Sequence, residues 1–248
     1  MPQTMRTINT FIGVLLLVAV GCTKSSSDVS SSNGSNGSLT RFITVANHLY
    51  TVDNNNLKTY NIANPASPVF KGTTPIGFSI QTIFPYQDKL FIGSANAMFI
   101  YSIANPEQPT LLSQTAYFVR GKDPIVAFDS VAYATVQNGF AGATGVLNVF
   151  NIKNLNQPNL QTVLPLQSPY GLGVKDSALY VCDGAAGLKL FNIAKPYQPV
   201  ARGSFSEPET FYDVIVQGNT LIAFIKGGVC LIDISDVLNP VLIAKLKN

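Results

Sequence analysis

Past residue 40 the chain is written in short apolar runs, each cut off by Gly, Asn, Asp or Pro. The runs are rich in Val, Ile, Leu, Phe and Tyr. No stretch there carries the 3.6-residue spacing of an amphipathic helix, so the runs predict β-strands. The order is clearest near the end of the chain. A strand over 213–217 leads through Gly218-Asn219 to a strand over 221–225; Gly227-Gly228 then turns the chain into 229–234, and a proline-containing loop precedes 241–246. The same order is spelled by 170–174, 179–182, 188–193 and 200–205.

The exit from the third strand of each unit is nearly the same phrase five times: YNIANPASP at 60–68, YSIANPEQP at 101–109, FNIKNLNQP at 150–158, FNIAKPYQP at 191–199 and IDISDVLNP at 232–240. The closing prolines (Pro68, Pro109, Pro158, Pro199 and Pro240) are 41, 49, 41 and 41 residues apart. A period of this size marks one supersecondary unit copied and stacked. Four-stranded units repeated around an axis make a β-propeller. The expected fold is therefore all-β: a propeller of five four-stranded antiparallel blades over 39–248, with 42–45 as its first strand. Proline lacks the N–H that a central strand donates, so the prolines are expected between strands. Each blade is contiguous in sequence, so closure is expected from side-chain packing between the first and fifth blades, with a partly open arc as the alternative.

The repeat resembles the LVIVD repeat family of secreted bacterial proteins. Asp213-Val214-Ile215-Val216 with Gly218-Asn219 matches the family's opening strand and turn. Leu49-Tyr50-Thr51-Val52-Asp53 and Leu179-Tyr180-Val181-Cys182-Asp183 match its middle. Gly187-Leu188-Lys189-Leu190-Phe191-Asn192-Ile193 and Ile232-Asp233-Ile234-Ser235-Asp236 match its close. The resemblance runs from Phe42 to Leu246 and implies the propeller fold; it brings no catalytic residue with it.

The N-terminus is of another kind. Arg6 precedes an apolar stretch over 11–20 that is too short to span a bilayer, and Gly21-Cys22 follows, the layout of a signal peptide over 1–21. Ala19-Val20-Gly21-Cys22 resembles a bacterial lipobox, which implies lipidation of Cys22 and a lipid bilayer as a partner. Residues 22–38, rich in Ser, Gly and Asn, cannot bury apolar surface and are expected to form a disordered tether. Thr23 stands where Asp would favour inner-membrane retention, so the expected location is the cell envelope, at the outer membrane, outside the cytoplasm. Cys182 and Cys230 fall within apolar strands and are expected to be buried free thiols.

Composition narrows the function. The chain has 248 residues, 46% hydrophobic and only 12% charged, with a formal net charge of +3 and no run of Lys or Arg. That argues against a nucleic-acid partner. His48 is the only histidine, expected at a turn on the face away from the longer loops. Nothing in the sequence calls for a cofactor or a metal. Asp53, Asp183 and Asp213 are expected to hold backbone amides. The third unit is longer than the rest by an insertion over 137–145 between its second and third strands, with Phe140 at its centre. That connection shares a face with the links between blades. These links carry Tyr117, Phe118, Arg120, Lys122 and Asp123 in one, Tyr170 in another, and Glu207, Glu209, Phe211 and Tyr212 in a third. Aromatic rings beside charges can stack on sugars or anchor a protein partner. The candidate ligand-binding residues are therefore Phe140, Tyr117, Arg120, Tyr170, Phe211 and Tyr212. The expected function is a membrane-anchored binding module that docks an envelope protein or a glycan, without catalysis. The alternatives are a hydrolase or lyase acting on extracellular polysaccharide, which needs two facing carboxylates, and a structural envelope protein.

Overall fold

The computed structural model describes residues 37–117, 121–122, 124–138, 145–205 and 209–247, with only the backbone of 121, 122 and 138. All regular elements among the described residues are strands, in five antiparallel sheets. Blade 1 is β1 (Phe42–Val45), β2 (His48–Val52), β3 (Asn56–Asn61) and β4 (Val69–Pro75). Blade 2 is β5 (Ile80–Tyr86), β6 (Lys89–Ser94), β7 (Ala97–Ser102) and β8 (Thr110–Ala116). Blade 3 holds a short β9 (Gly121–Lys122), then β10 (Ile125–Phe128), β11 (Val131–Asn138), β12 (Gly145–Asn151) and β13 (Asn159–Leu166). Blade 4 is β14 (Leu172–Lys175), β15 (Ala178–Cys182), β16 (Leu188–Asn192) and β17 (Val200–Phe205). Blade 5 is β18 (Phe211–Gln217), β19 (Thr220–Ile225), β20 (Gly228–Asp233) and β21 (Val241–Lys247). The strands of each blade pair in sequence order. β9 is an addition to the expected plan: the chain over 121–122, read as part of a link, pairs with the end of β11 through Gln137↔Lys122 and Asn138↔Gly121.

The repeated phrase is a set of hydrogen bonds. Its second residue caps the amide two positions on, through Asn61 Oδ1 to Ala63, Ser102 Oγ to Ala104, Asn151 Oδ1 to Lys153, Asn192 Oδ1 to Ala194 and Asp233 Oδ1 to Ser235. The isoleucine that follows donates its amide to the first hairpin of its own blade, for example Ile103 N–H to Asp88 O at 2.9 Å and Ile193 N–H to Ser177 O at 2.7 Å. One residue earlier the register slips in all five blades, at 59/60, 100/101, 149/150, 190/191 and 231/232. A bulge there turns the third strand toward the proline loop. The prolines of the phrase do lie between strands. Pro75, Pro85 and Pro165 instead lie within β4, β5 and β13. Each of those strands has an edge without a partner, where a missing N–H breaks no ladder bond.

The core lies between blades. One cluster joins blades 1 and 2 (Ile43, Tyr50, Leu57 with Ile83, Ile92, Phe99), a second joins blades 2, 3 and 4, and a third joins blades 4 and 5. A tyrosine on the second strand of a blade reaches across to the proline loop of the next. Tyr50 Oη donates to Pro106 O at 2.8 Å, Tyr133 Oη to Pro196 O at 2.8 Å and Tyr180 Oη to Val237 O at 2.7 Å. Blade 2 has Phe91 at this place, fully buried, and Leu155 of blade 3 packs into the cluster opposite. Cys182 is a buried free thiol, pushed well above its ordinary range by burial, and Cys230 is buried as well.

Among the described residues no cluster joins blade 5 to blade 1, and their strands do not pack together as closely as those of every other neighbouring pair. Closure by packing of these two blades is thus not what the described residues show; the expected alternative, an open arc, is. Burial follows the same logic. β7 of blade 2 is buried on both faces, while β3 and β20 in the end blades alternate between buried and half-buried positions.

Candidate functional site

The links between blades and the connections between second and third strands share one face, and the chain enters the propeller there. Gly37–Thr40 crosses the centre of this face. Ser38, read from sequence as the last residue of a disordered tether, is fully buried. Its Oγ accepts from Leu172 N–H of blade 4 at 2.7 Å and donates to Asp213 Oδ1 of blade 5 at 3.3 Å. Thr40 O accepts from Ile83 N–H of blade 2 at 2.9 Å. Arg41 Nη2 donates to Ile80 O at 2.8 Å and to Asn54 Oδ1 at 3.2 Å. The entering segment therefore stitches blades 4 and 5 to blade 2 across the axis. The ordered domain begins no later than Gly37, two residues before the sequence reading placed it.

Asp213 is the pivot of this stitch. It also accepts the amide of Val214 at 2.9 Å and those of Ser38 and Leu39. Burial nevertheless outweighs those donors and pushes its carboxyl up to about 6. The carboxylate fits because its neighbour is a glycine: a Cβ on Gly171 would overlap both the Asp213 carboxyl and its Cα. Gly171 and Asp213 hold the same place in successive repeats, each just after a tyrosine. The burial of Ser38 beside Asp213 carried no signal in the sequence.

Those tyrosines, Tyr170 and Tyr212, are half-exposed and meet edge to face with ring centroids 5.3 Å apart. The backbone beneath them is fixed. Gly171 N–H donates to Tyr212 O at 2.9 Å and Tyr170 N–H to Cys182 O at 2.8 Å. Thr135 Oγ1 donates to Tyr170 O at 2.6 Å. Asp183 accepts the amides of Gln167 and Ser168 at 2.9 and 2.7 Å, and Gln137 Nε2 donates to Ser168 Oγ at 2.8 Å. Two rings of one repeat position thus meet edge to face on backbone held by hydrogen bonds.

The other candidates fare differently. Phe211 is fully buried in the cluster between blades 4 and 5, its N–H donating to Gly184 O at 3.1 Å. Tyr117 is 9% exposed and packs against Phe150. Both were expected at the surface, and both serve the core: Phe211 opens β18 on the side facing blade 4, and Tyr117, just past β8, is tied back by its N–H to Asn96 O at 2.9 Å. Phe140 and Arg120 lie outside the described residues, as do Phe118, Asp123 and Glu207. Glu209 pairs with Lys245 at 2.5 Å and Lys247 at 3.2 Å. Asp53 accepts the amides of Asn55 and Asn56 at 2.9 and 2.8 Å, which holds it near 2.

On the opposite face the first strands of blades 2 to 5 line a cavity of about 220 Å³, walled by Phe84, Val126, Leu172, Val174, Val214 and Val216. Lys175 there donates to Gly218 O at 2.7 Å and Asn219 Oδ1 at 2.6 Å. His48 borders an open groove between blades 1 and 2, with Nε2 3.6 Å from Glu107 Oε1. Glu107 is in turn held by Lys71 Nζ at 2.9 Å.

These features define a β-propeller. No protein-family model matches the chain, and no curated protein matches it either. Solved structures do. A protein from Lactobacillus plantarum superposes with a TM-score of 0.64 at 12% identity, over 83% of this chain and 69% of that one. The computationally designed protein Ika8 gives 0.61 at 10% identity, over 83% of this chain and 60% of its own. BamB from Moraxella catarrhalis gives 0.57 at 9% identity, over 74% of this chain and 53% of its own. The likeness is one of fold, and the chain spans only part of the length of each.

Proposed function

We propose that the protein is an interaction module of the LVIVD repeat kind, anchored outside the cytoplasm by a lipid on Cys22. Its loop face docks an envelope protein or a glycan without catalysing a reaction. The observation that carries this reading is the Tyr170–Tyr212 pair: two half-exposed rings, 5.3 Å apart, on a backbone fixed by hydrogen bonds from blades 3, 4 and 5. Rigid aromatic rings lose little conformational entropy on binding and suit both sugar faces and protein hot spots. The Ser/Gly/Asn tract behind Cys22 supports the anchored arrangement.

Full chain purified in mild detergent, presented to a glycan array and to fractionated envelope proteins, identifies the ligand class. Tyr212→Ala and Tyr170→Ala are then expected to weaken that binding at least about tenfold with little change in melting temperature. Binding that survives both substitutions overturns the placement of the site. Cys22→Ala is expected to move the chain from the membrane to the soluble fraction; retention in the membrane overturns the anchor.

A further inference from the structure

The cavity on the face opposite Tyr170 and Tyr212 combines an apolar wall with a single fixed charge at its rim. Phe84, Val126, Leu172 and Val214 are buried in the wall, and Val174 and Val216 complete it. The rim is made by the hairpin tips of blades 2 to 5. The residue just before the positive-φ turn residue is Tyr86 in blade 2, Phe128 in blade 3 and Lys175 in blade 4, all three on the lining; Val45 and Gln217 hold the place in blades 1 and 5. Lys175 is thus the one charge at a position repeated five times. Its Nζ donates to Gly218 O at 2.7 Å and to Asn219 Oδ1 at 2.6 Å. Gly218 itself lines the cavity, so the ammonium is fixed at the rim with one N–H still to give. No carboxylate pairs with it among the described residues. Asp176 beside it is exposed, and Asp233, held low chiefly by Ser235, feels its charge only at longer range. Tyr86 Oη accepts Asp129 N–H at 2.7 Å and donates its own hydrogen to no described residue. The two half-buried polar side chains on the lining, Tyr86 and Lys175, are therefore both donors.

We infer that this cavity binds a small apolar monocarboxylate, its ring or short acyl chain against Phe84, Val126, Leu172 and Val214 and its carboxylate on Lys175. A carboxylate only accepts, and it suits a rim whose half-buried side chains donate. An ammonium ligand would meet Lys175 as a like charge. A sugar would leave hydroxyls without partners against the apolar wall. Size limits the body of the ligand. An apolar cavity of about 150 Å³ takes benzene, so one of about 220 Å³ takes a ring with roughly three further atoms. So few atoms gain too little for tight binding, and a dissociation constant of about 0.1–1 mM is expected. The site lies apart from the loop face, and its occupancy does not depend on what Tyr170 and Tyr212 bind.

The test is calorimetric titration of the full chain in lipid nanodiscs, with empty nanodiscs as the blank, since detergent would compete for an apolar cavity. The probes are phenylacetate, its neutral analogue phenylacetamide and the cation phenethylamine. Phenylacetate should saturate one site per chain, phenylacetamide should bind at least about fivefold more weakly, and phenethylamine should not saturate. Lys175→Gln should abolish the preference, so that acid and amide bind alike, and keep the circular dichroism spectrum of the parent. Val216→Phe places a ring in the cavity from β18 and should remove binding of both. If that variant does not fold, the comparison of acid and amide on Lys175→Gln decides alone. No saturation by phenylacetate up to about 10 mM overturns the inference. So does a smaller preference for the acid over the amide, a preference that survives Lys175→Gln, or unchanged binding to folded Val216→Phe.

Discussion

At the scale of single residues, Asp213 is where opposing forces meet most plainly. Amides and a hydroxyl from the entering segment favour its charge, while burial disfavours it, and burial wins. Because the folded-state pKa lies above the unfolded value, the group's contribution to stability is fully present below about pH 4 and is lost as pH rises through about 6. Asp213→Asn keeps an acceptor for Ser38 and cannot ionise. Its melting temperature should exceed that of the parent increasingly between pH 4 and pH 7, by up to roughly 2–3 kcal/mol of stability. A constant difference across that range would show that Asp213 is not the titrating group. Gly171→Ala tests the other half of the contact. With no room for a Cβ beside Asp213, it should cost about 1–3 kcal/mol in denaturant unfolding. Sequence alone identified Tyr170 and Tyr212 as surface rings but misread Tyr117 and Phe211. All four are aromatic residues near blade links; what tells them apart is the local path of the chain, such as the bulge after Phe211, which no single residue announces.

Elements were far more legible. Gly218-Asn219 announces a two-residue hairpin in blade 5, and the same hairpin recurs in every blade with its first residue at positive φ: Ala46 at 49°, Gln87 at 53°, Asp129 at 52°, Asp176 at 49° and Gly218 at 57°. Four of the five therefore hide behind residues that are not glycine. The phrase ending in proline was read as punctuation. Its finer work, capping an amide and pinning an isoleucine to the hairpin, depends on hydrogen bonds that spacing does not display. The tyrosines that bridge blades give a test at this scale. Tyr133→Phe and Tyr180→Phe each remove one buried hydroxyl and orphan a carbonyl, and should each cost about 1 kcal/mol. A loss below about 0.3 kcal/mol in both would show that the bridging bonds merely accompany the packing.

For the molecule as a whole, the number of blades was legible from the period, but the state of the ring was not. A repeat specifies how one blade covers the next and is silent about the last. An arc whose end blades pack on one side only should open from its ends. Native-state hydrogen exchange at low protein concentration is expected to release amides of β3 and β20 well before those of β7 and β12; uniform protection across all five blades would indicate a closed ring. The entry of the chain at Gly37 has a last consequence. The fourteen residues between Cys22 and Gly37 reach at most about 50 Å when pulled straight, and they leave from the side that displays Tyr170 and Tyr212. If the proposed lipid on Cys22 is present, the face that displays Tyr170 and Tyr212 is leashed within that distance of the bilayer, so a ligand rooted in the same membrane meets it at a raised local concentration.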